Sequence, residues 1–197
     1  GPAFEHILYE LDGKWYSHGD YGRALFDMVD PDETEILLNF SDETFVNRHS
    51  RSTSHPGNGY QAVCDDFDLE DSDAQLYHHV GKMENWDMLH YSGLSVKGDG
   101  YNAIGFYAKP DDDATYGFVF EIKDKHGARW YSNVLFTSND WEYYLLTPSD
   151  FIWWKDGAQP ESDVPSFDDI ASVQIGFANS FRGIAVGSYG YYCSDVI

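Results

Sequence analysis

The stretch 116-YGFVFEI-122 decides the fold class. Tyr116, Phe118, Phe120 and Ile122 alternate with Gly117, Val119 and Glu121. Alternation with period two puts the first set on one face of an extended strand and the second set on the other. The run 173-VQIGF-177 repeats the pattern, with Val173, Ile175 and Phe177 on one side and Gln174 and Gly176 on the other. Outward from these lie further strand-like runs: 36-ILLNF-40, 59-GYQAVC-64, 75-QLYHHV-80, 88-MLHYSGLSV-96, 103-AIGFYA-108, 129-RWYSNVLF-136, 141-WEYYLL-146, 183-GIAVG-187 and 190-GYYCSDV-196. PGNG at 56–59, KGDG at 97–100, KPDDD at 109–113 and DKHG at 124–127 punctuate them as turns. Many short strands with regular turns predict an all-β chain, a two-sheet antiparallel β-sandwich of jelly-roll type. Only 20-DYGRALFDMVD-30 is helix-like, with an acidic start and Pro31 as its stop.

The chain has 197 residues, enough for one β-rich domain with its own core. Residues 35–197 are expected to form the sandwich. Residues 1–34 are less clearly patterned and read as an N-terminal extension: a linker, or an extra strand and helix packed on the sandwich. Gly1-Pro2 reads as a protease-cleavage scar. No apolar run is long enough to span a membrane. Cys64 and Cys193 both fall in strand-like runs, compatible with a disulfide across a very long loop or with two buried thiols.

Thirty-four acidic residues face 12 basic ones, a formal net charge of -22. Phosphate contacts need clustered Lys and Arg, so a nucleic-acid partner and an anionic membrane surface are both disfavoured. The charge suits a solvated acidic surface, or a partner that is neutral and hydroxyl-rich, or cationic. Aromatic residues make up 17% of the chain, including 15 Tyr and 6 Trp, more than a core of this size is expected to need. Tyr and Trp join a flat apolar body to a polar handle, which suits stacking on a sugar ring whose hydroxyls meet polar neighbours.

Motifs for catalysis and metals are sparse. There is no HExxH and no paired CxxC, so zinc and redox roles lack support. The acidic run 65-DDFDLEDSD-73 lacks the central Gly and terminal Glu of an EF-hand loop and reads as a solvated loop. No carboxylate pair stands in a recognisable glycosidase motif, and there is no GxSxG. His78 and His79 fall on a strand-like run, where neighbours face opposite sides, a poor geometry for sharing a metal. Trp130 is expected in the core, with Tyr131 and Arg129 together on the other face. Trp141, which opens a strand, is also assigned to the core. Trp153 and Trp154 fall in 151-FIWWKDG-157, which reads as a loop before the turn-rich 156-DGAQPESDVP-165. Either both indoles cap the sandwich edge, or at least one is exposed for ligand stacking.

The run from Ile36 to Ile197 resembles the jelly-roll carbohydrate-binding modules of family 11 and their galactose-binding-like relatives. The resemblance rests on ordered pieces: Leu37-Leu38-Asn39-Phe40-Ser41, Gly57-Asn58-Gly59-Tyr60, Asn85-Trp86-Asp87, the run from Leu94 to Gly100, Gly127-Ala128-Arg129-Trp130-Tyr131, Asp140-Trp141, Pro148-Ser149-Asp150-Phe151, the run from Asp169 to Phe177, and Tyr192-Cys193-Ser194-Asp195-Val196. It implies two antiparallel sheets with a polysaccharide across the concave one. The loop after Pro-Ser-x-Phe would supply sugar contacts, here Trp153, Trp154 and Lys155. Gln174 takes the place of a polar cleft residue, and Phe177 or Asn179 falls near a position where the family tends to place Tyr. Tyr131, Arg129 and Tyr77 complete the candidate ligand-binding set. The family's opening and closing acids, which help bind a structural calcium ion, are replaced by Ser41 and Ser194, leaving Asp42 and Asp195 as candidate metal ligands. Trp-Trp stands where the family favours basic and Tyr residues.

These observations together imply non-catalytic binding of a polysaccharide or oligosaccharide, a neutral glucan or related plant-type glycan, with no cofactor required and a structural Ca2+ as an option that the binding does not depend on. The expected setting is extracellular, secreted or attached to a cell surface. The chain would be a monomer fused to other modules, targeting an attached glycoside hydrolase or a cell to its substrate. A glycoside hydrolase or polysaccharide lyase on the same scaffold is the first alternative, and a protein-interaction or adhesin module the second.

Overall fold

In the computed structural model, residues 8–11, 14–17, 34–67, 69, 74–178 and 187–197 are described, with backbone alone for 8–11, 14–17, 187 and 188. The helix-like stretch 20–30, Asn179 and most of 183–187 lie outside the described residues. Strands β1 (Leu8–Leu11) and β2 (Lys14–Ser17) pair with each other in a two-stranded sheet. A short helix α1 (Glu43–Asn47) follows, then β3 (Ser50–Thr53), β4 (Tyr60–Asp65), β5 (Gln75–Met83), β6 (Trp86–Tyr91), β7 (Ile104–Pro110) and β8 (Gly117–Asp124). The rest are β9 (Arg129–Leu135), β10 (Glu142–Leu146), β11 (Ile152–Trp154), β12 (Ile170–Ala178) and β13 (Gly187–Cys193). One sheet has six strands in the order β11-β9-β8-β12-β6-β3, the other five in the order β10-β7-β13-β5-β4. Every pairing is antiparallel. The expected two-sheet sandwich is the observed architecture.

Alternation explains how the sheets close on one another. Phe118, Phe120 and Ile122 of β8 turn inward beside Trp130 and Val134 of β9 and Val173, Ile175 and Phe177 of β12, and all are buried. They meet Phe106 of β7 and Tyr191 of β13 across the sandwich. The Phe118 and Tyr191 rings stack at 4.3 Å and 4°, and Phe106 and Phe120 at 5.6 Å and 6°. Rings this large fill the interlayer space, and Trp130, Tyr91, Tyr191 and Phe40 are among the largest fully buried side chains. Much of the aromatic content is therefore core filling, contrary to the expectation that a core of this size would not need it.

Several boundaries differ from the sequence reading. The 36–40 run is not a strand: Leu38 alone bridges to Val196. The chain turns at Asn39–Asp42, and the Asp42 carboxylate caps α1 by accepting from the Thr44 N–H. The 88–96 run stops as β6 at Tyr91, two residues before Gly93 at φ 68°. The 151–157 loop contains a strand instead, β11, because the 152–154 backbone pairs with β9. Trp141 is half-exposed and packs 6.2 Å from Tyr192 on the outside of the five-stranded sheet, not in the core. Cys64 and Cys193 both pair with Leu76 of β5, which lies between their strands. Two strand spacings of ~4.8 Å exceed the Cα separation a disulfide spans, and both thiols are free.

A buried polar network joins the layers. His78 of β5 turns inward, and its Nε2 stands 3.1 Å from Oδ1 of Asp87 on β6. Its Nδ1 stands 3.1 Å from the Tyr191 hydroxyl. Asp87 also accepts from Arg51 of β3 and from Asn58 Nδ2 at 2.9 Å. Burial alone would raise the Asp87 carboxyl pKa, but hydrogen bonds from His78, Arg51 and Asn58 outweigh it and hold the group well below the usual carboxylate range. Burial lowers the His78 pKa despite Asp87, whose charge Arg51 already balances. His78 is therefore neutral, with its Nε2–H donating to Asp87. His79, its neighbour, points to the opposite face and faces Asp111, as strand alternation predicts.

Candidate functional site

The outward positions of the six-stranded sheet form rows set by strand register. One row runs Ile152–Tyr131–Glu121–Gln174–His90–Ser50 across β11, β9, β8, β12, β6 and β3. Five spacings of ~4.8 Å make it about 24 Å long. The next row carries Trp154, Arg129, Lys123 and Ser172. Tyr131 and Trp154 meet edge to face, centroids 6.2 Å apart at 83°. The ring pair thus offers flat surface beside a row of hydrogen-bonding groups.

Glu121 is the row's buried charge, 3% exposed, and Arg129 Nε donates to its Oε1. The ion pair compensates the buried charge and holds the half-buried Arg129 side chain on this face. Burial lowers the His90 pKa, although Glu121 pulls the other way. The ring is accordingly neutral near pH 7 and can both donate and accept, with Ser50 Oγ 3.5 Å from its Nδ1. Gln174, half-buried between Glu121 and His90, adds an amide. The adjoining part of the face is apolar: Met88, Val119 and Ala178 are buried together, with Tyr131 packed against them.

β11 places Trp154 because the chain turns tightly after it. The Gly157 N–H closes the turn on the Trp154 carbonyl at 3.0 Å. A Cβ on Gly157 would come within 2.6 Å of the Arg129 backbone nitrogen, so glycine lets the turn lie against β9. Lys155 is exposed on this turn.

Of the eight expected ligand-binding residues, Trp154, Tyr131, Arg129 and Gln174 share this face, with Lys155 at its border. The other three do not converge there. Trp153 faces the opposite side of β11, packs against the main core and donates from Nε1 to the Ala158 carbonyl at 3.1 Å. Phe177 is fully buried between the sheets, 5.3 Å from His78; strand alternation puts Gly176 and Ala178 outward instead. Tyr77 belongs to the outer face of the five-stranded sheet, stacked at 4.6 Å on Tyr192, its hydroxyl donating to Asp111. Burial and that carboxylate push its phenol well above the usual range.

The candidate metal ligands are engaged by protein donors. Asp195 Oδ1 accepts from Ser41 N–H at 2.9 Å and from its hydroxyl at 3.1 Å. Asp42 caps α1. Calcium takes six to eight oxygen ligands, and among the described residues no group of three His, Cys, Asp or Glu side chains could hold an ion. Both carboxylates expected to hold calcium thus accept hydrogen bonds from the protein.

Sequence reasoning missed Glu121, His90, Lys123 and Trp86 as site residues. Alternation from Phe120 and Ile122 already turns Glu121 outward. His90 and Trp86 become neighbours of Gln174 and Ala178 only through the register of β6 with β12. Trp86 is 41% exposed, and its Nε1 donates to Ser52 Oγ.

No family profile matches the sequence, and neither does any curated protein. Solved structures do resemble it. A family 11 carbohydrate-binding module from Clostridium thermocellum, in complex with a β-1,3-1,4-mixed-linked tetrasaccharide, superposes with a TM-score of 0.57 at 14% identity, covering 85% of this chain and 91% of that one. The family 11 module of the C. thermocellum cellulosomal cellulase Lic26A-Cel5E gives 0.57 at 15%, covering 82% and 91%. An exo-β-agarase gives 0.57 at 10%, covering 82% of this chain and 25% of the agarase. At these identities the likeness is one of fold: the chain has the β-sandwich of these carbohydrate-binding modules.

Proposed function

We propose that the chain is a non-catalytic carbohydrate-binding module whose six-stranded sheet holds a neutral glycan along its outer face. The observation that carries this reading is the row Tyr131–Glu121–Gln174–His90 beside the Tyr131–Trp154 ring pair. A pyranose presents C–H faces to rings and a rim of hydroxyls to the guanidinium that Glu121 holds in place and to the amide and imidazole groups. The same row fits no polyanion, since its one buried charge is a carboxylate and the chain carries -22 overall. A glucan or related plant-type glycan suits this chemistry. The likeness to modules built into larger carbohydrate-active proteins supports a role in targeting an attached enzyme or a cell to its substrate outside the cell.

Hydrolysis is disfavoured on chemical grounds. Glycosidases need two carboxyl groups flanking the scissile bond. Among the described strand positions of this face, Glu121 is the one carboxylate, and Arg129 pairs with it. The test is affinity electrophoresis through gels carrying mixed-linkage glucan, xyloglucan, agarose or galactomannan. Retardation in at least one gel, lost in Tyr131→Ala and without new reducing ends, is the expected result. Unretarded migration in all four, or turnover of any, would overturn the reading.

A further inference from the structure

The outer face of the five-stranded sheet is sealed at an edge where solvent is expected. On the edge strand β10, Tyr144 and Leu146 lie opposite Phe106 and Ile104 and turn inward, whereas Tyr143 lies opposite Tyr107 and turns outward. Yet outward Tyr143 is 2% exposed, and inward Tyr144 is only half-buried. The Tyr143 ring reaches across Gly105 of β7, where a Cβ would collide with its hydroxyl, and meets the Tyr107 ring edge to face at 4.9 Å. Sheet backbone covers one side of such a ring, so a second layer must cover the other. Trp141 and Lys109 stand on the same face, the ammonium 5.7 Å from the indole centre. Tyr107, Lys109, Trp141 and Tyr143 each make a polar, ionic or ring contact in addition to these. The edge of the six-stranded sheet is the contrast: outward Ile152 on β11 is 57% exposed.

The cover belongs to this chain, because Tyr143 is already buried within a single copy. Phe67 stacks on Tyr192 at 4.3 Å and accounts for the neighbouring part of the face, over β13. Among the described strands, β1 and β2 are the two that belong to neither sheet of the sandwich. They read LYEL and KWYS and pair with each other from Leu8↔Ser17 to Leu11↔Lys14. A lone two-stranded hairpin is marginal in water and needs a surface to pack on. We infer that the β1–β2 hairpin stacks on the outer face of the five-stranded sheet at β10 and β7, over Tyr143, Tyr107 and Trp141, as a third layer. The path of the chain agrees. Leu37 and Leu38 bond to Val196, and Ile197 bonds to Gly105 of β7. The chain thus enters the sandwich within the five-stranded sheet, two spacings or about 10 Å from β7. Residues 18–33 can span about 50 Å when extended, more than that path needs. The docked hairpin closes this face to ligands, and its place is independent of what the six-stranded face binds.

The test is amide hydrogen exchange on the full chain, read by NMR, with ring-proton Overhauser contacts from Tyr143 and Tyr107. Cross-strand amides within Leu8–Ser17 are expected to exchange at least ~tenfold slower than unfolded rates, which a lone hairpin would not sustain. Tyr143→Ala is expected to remove that protection roughly tenfold, and Trp141→Ala roughly threefold, while β8 and β12 amides keep theirs. Ring contacts from Tyr143 and Tyr107 to residues 8–17 are expected in the wild type. Unprotected hairpin amides, protection indifferent to both substitutions, or Tyr143 contacts to residues 65–74 or 179–186 in place of 8–17 would overturn the docking. Where Tyr143→Ala does not fold, Trp141→Ala and the wild-type ring contacts decide.

Discussion

Trp153 and Trp154 are neighbours in sequence with opposite tasks. Trp154 contributes to the outer face against Tyr131, and Trp153 packs on the core. Trp154→Ala is therefore expected to weaken binding to a retarding polysaccharide by about tenfold while leaving the melting temperature nearly unchanged. Trp153→Ala is expected to lower unfolding stability by about 2–3 kcal/mol in urea titration, since it empties a half-buried indole site. Equal effects of the two variants on stability would contradict the split. Ser41 makes a similar point at the Asp195 carboxylate, which it satisfies with its own N–H and hydroxyl. Thermal scans with EDTA and with added CaCl2 are expected to coincide. A rise in melting temperature with calcium would show that these residues hold the ion after all.

Between elements, the Asp87 network ties β3, β5 and β6 together across the sandwich. Removing the charge while leaving Arg51 buried is costly, so Asp87→Asn is expected to lose roughly 3 kcal/mol. The pH dependence follows from both shifts. The folded pKa of His78 is lowered, so its contribution is complete above the unfolded value of about 6.5 and is lost as pH falls below it. Asp87 is also depressed, so its contribution is complete above about 3.8 and is lost on further acidification. Unfolding midpoints are expected to fall in two steps below neutrality, the second weakened in Asp87→Asn. A midpoint that rises on acidification through pH ~6 would contradict a neutral His78. The elements differ in how far the sequence displays them. β8, β9 and β12 were legible because inward Phe, Trp, Val and Ile alternate with small or polar outward residues. β3 was not, because this edge strand carries Ser50 and Ser52 outward and turns Arg51 inward to Asp87. β11 hid for another reason: three consecutive large apolar residues show no period, and only pairing with β9 separates their faces. The same gap explains part of the site. Arg129, Tyr131 and Gln174 could be read from alternation, and the same alternation already set Phe177 with Val173 and Ile175 on the side opposite Gln174; Tyr77, on the other sheet, could be placed only by knowing which faces meet.

For the whole molecule, the net charge of -22 surrounds a face whose proposed ligand is uncharged. Screening should then matter little: affinity for a neutral polysaccharide is expected to change by less than twofold between ~50 mM and ~500 mM NaCl. A steep loss with salt would point to a charged ligand. The sandwich presents two broad outer faces. Tyr131, Glu121, Gln174 and His90 mark one, and Tyr77, Tyr192 and Asp111 mark the other. The most direct test of the account is an amide chemical-shift map recorded with a soluble neutral oligosaccharide from whichever polysaccharide retards the protein. Shifts are expected on β9, β8, β12 and β6 around Tyr131, Glu121, Gln174 and His90, and on β11 around Trp154. Shifts concentrated instead on β4, β5, β13 and β7, around Tyr77 and Tyr192, would contradict the assignment of the glycan to the six-stranded face.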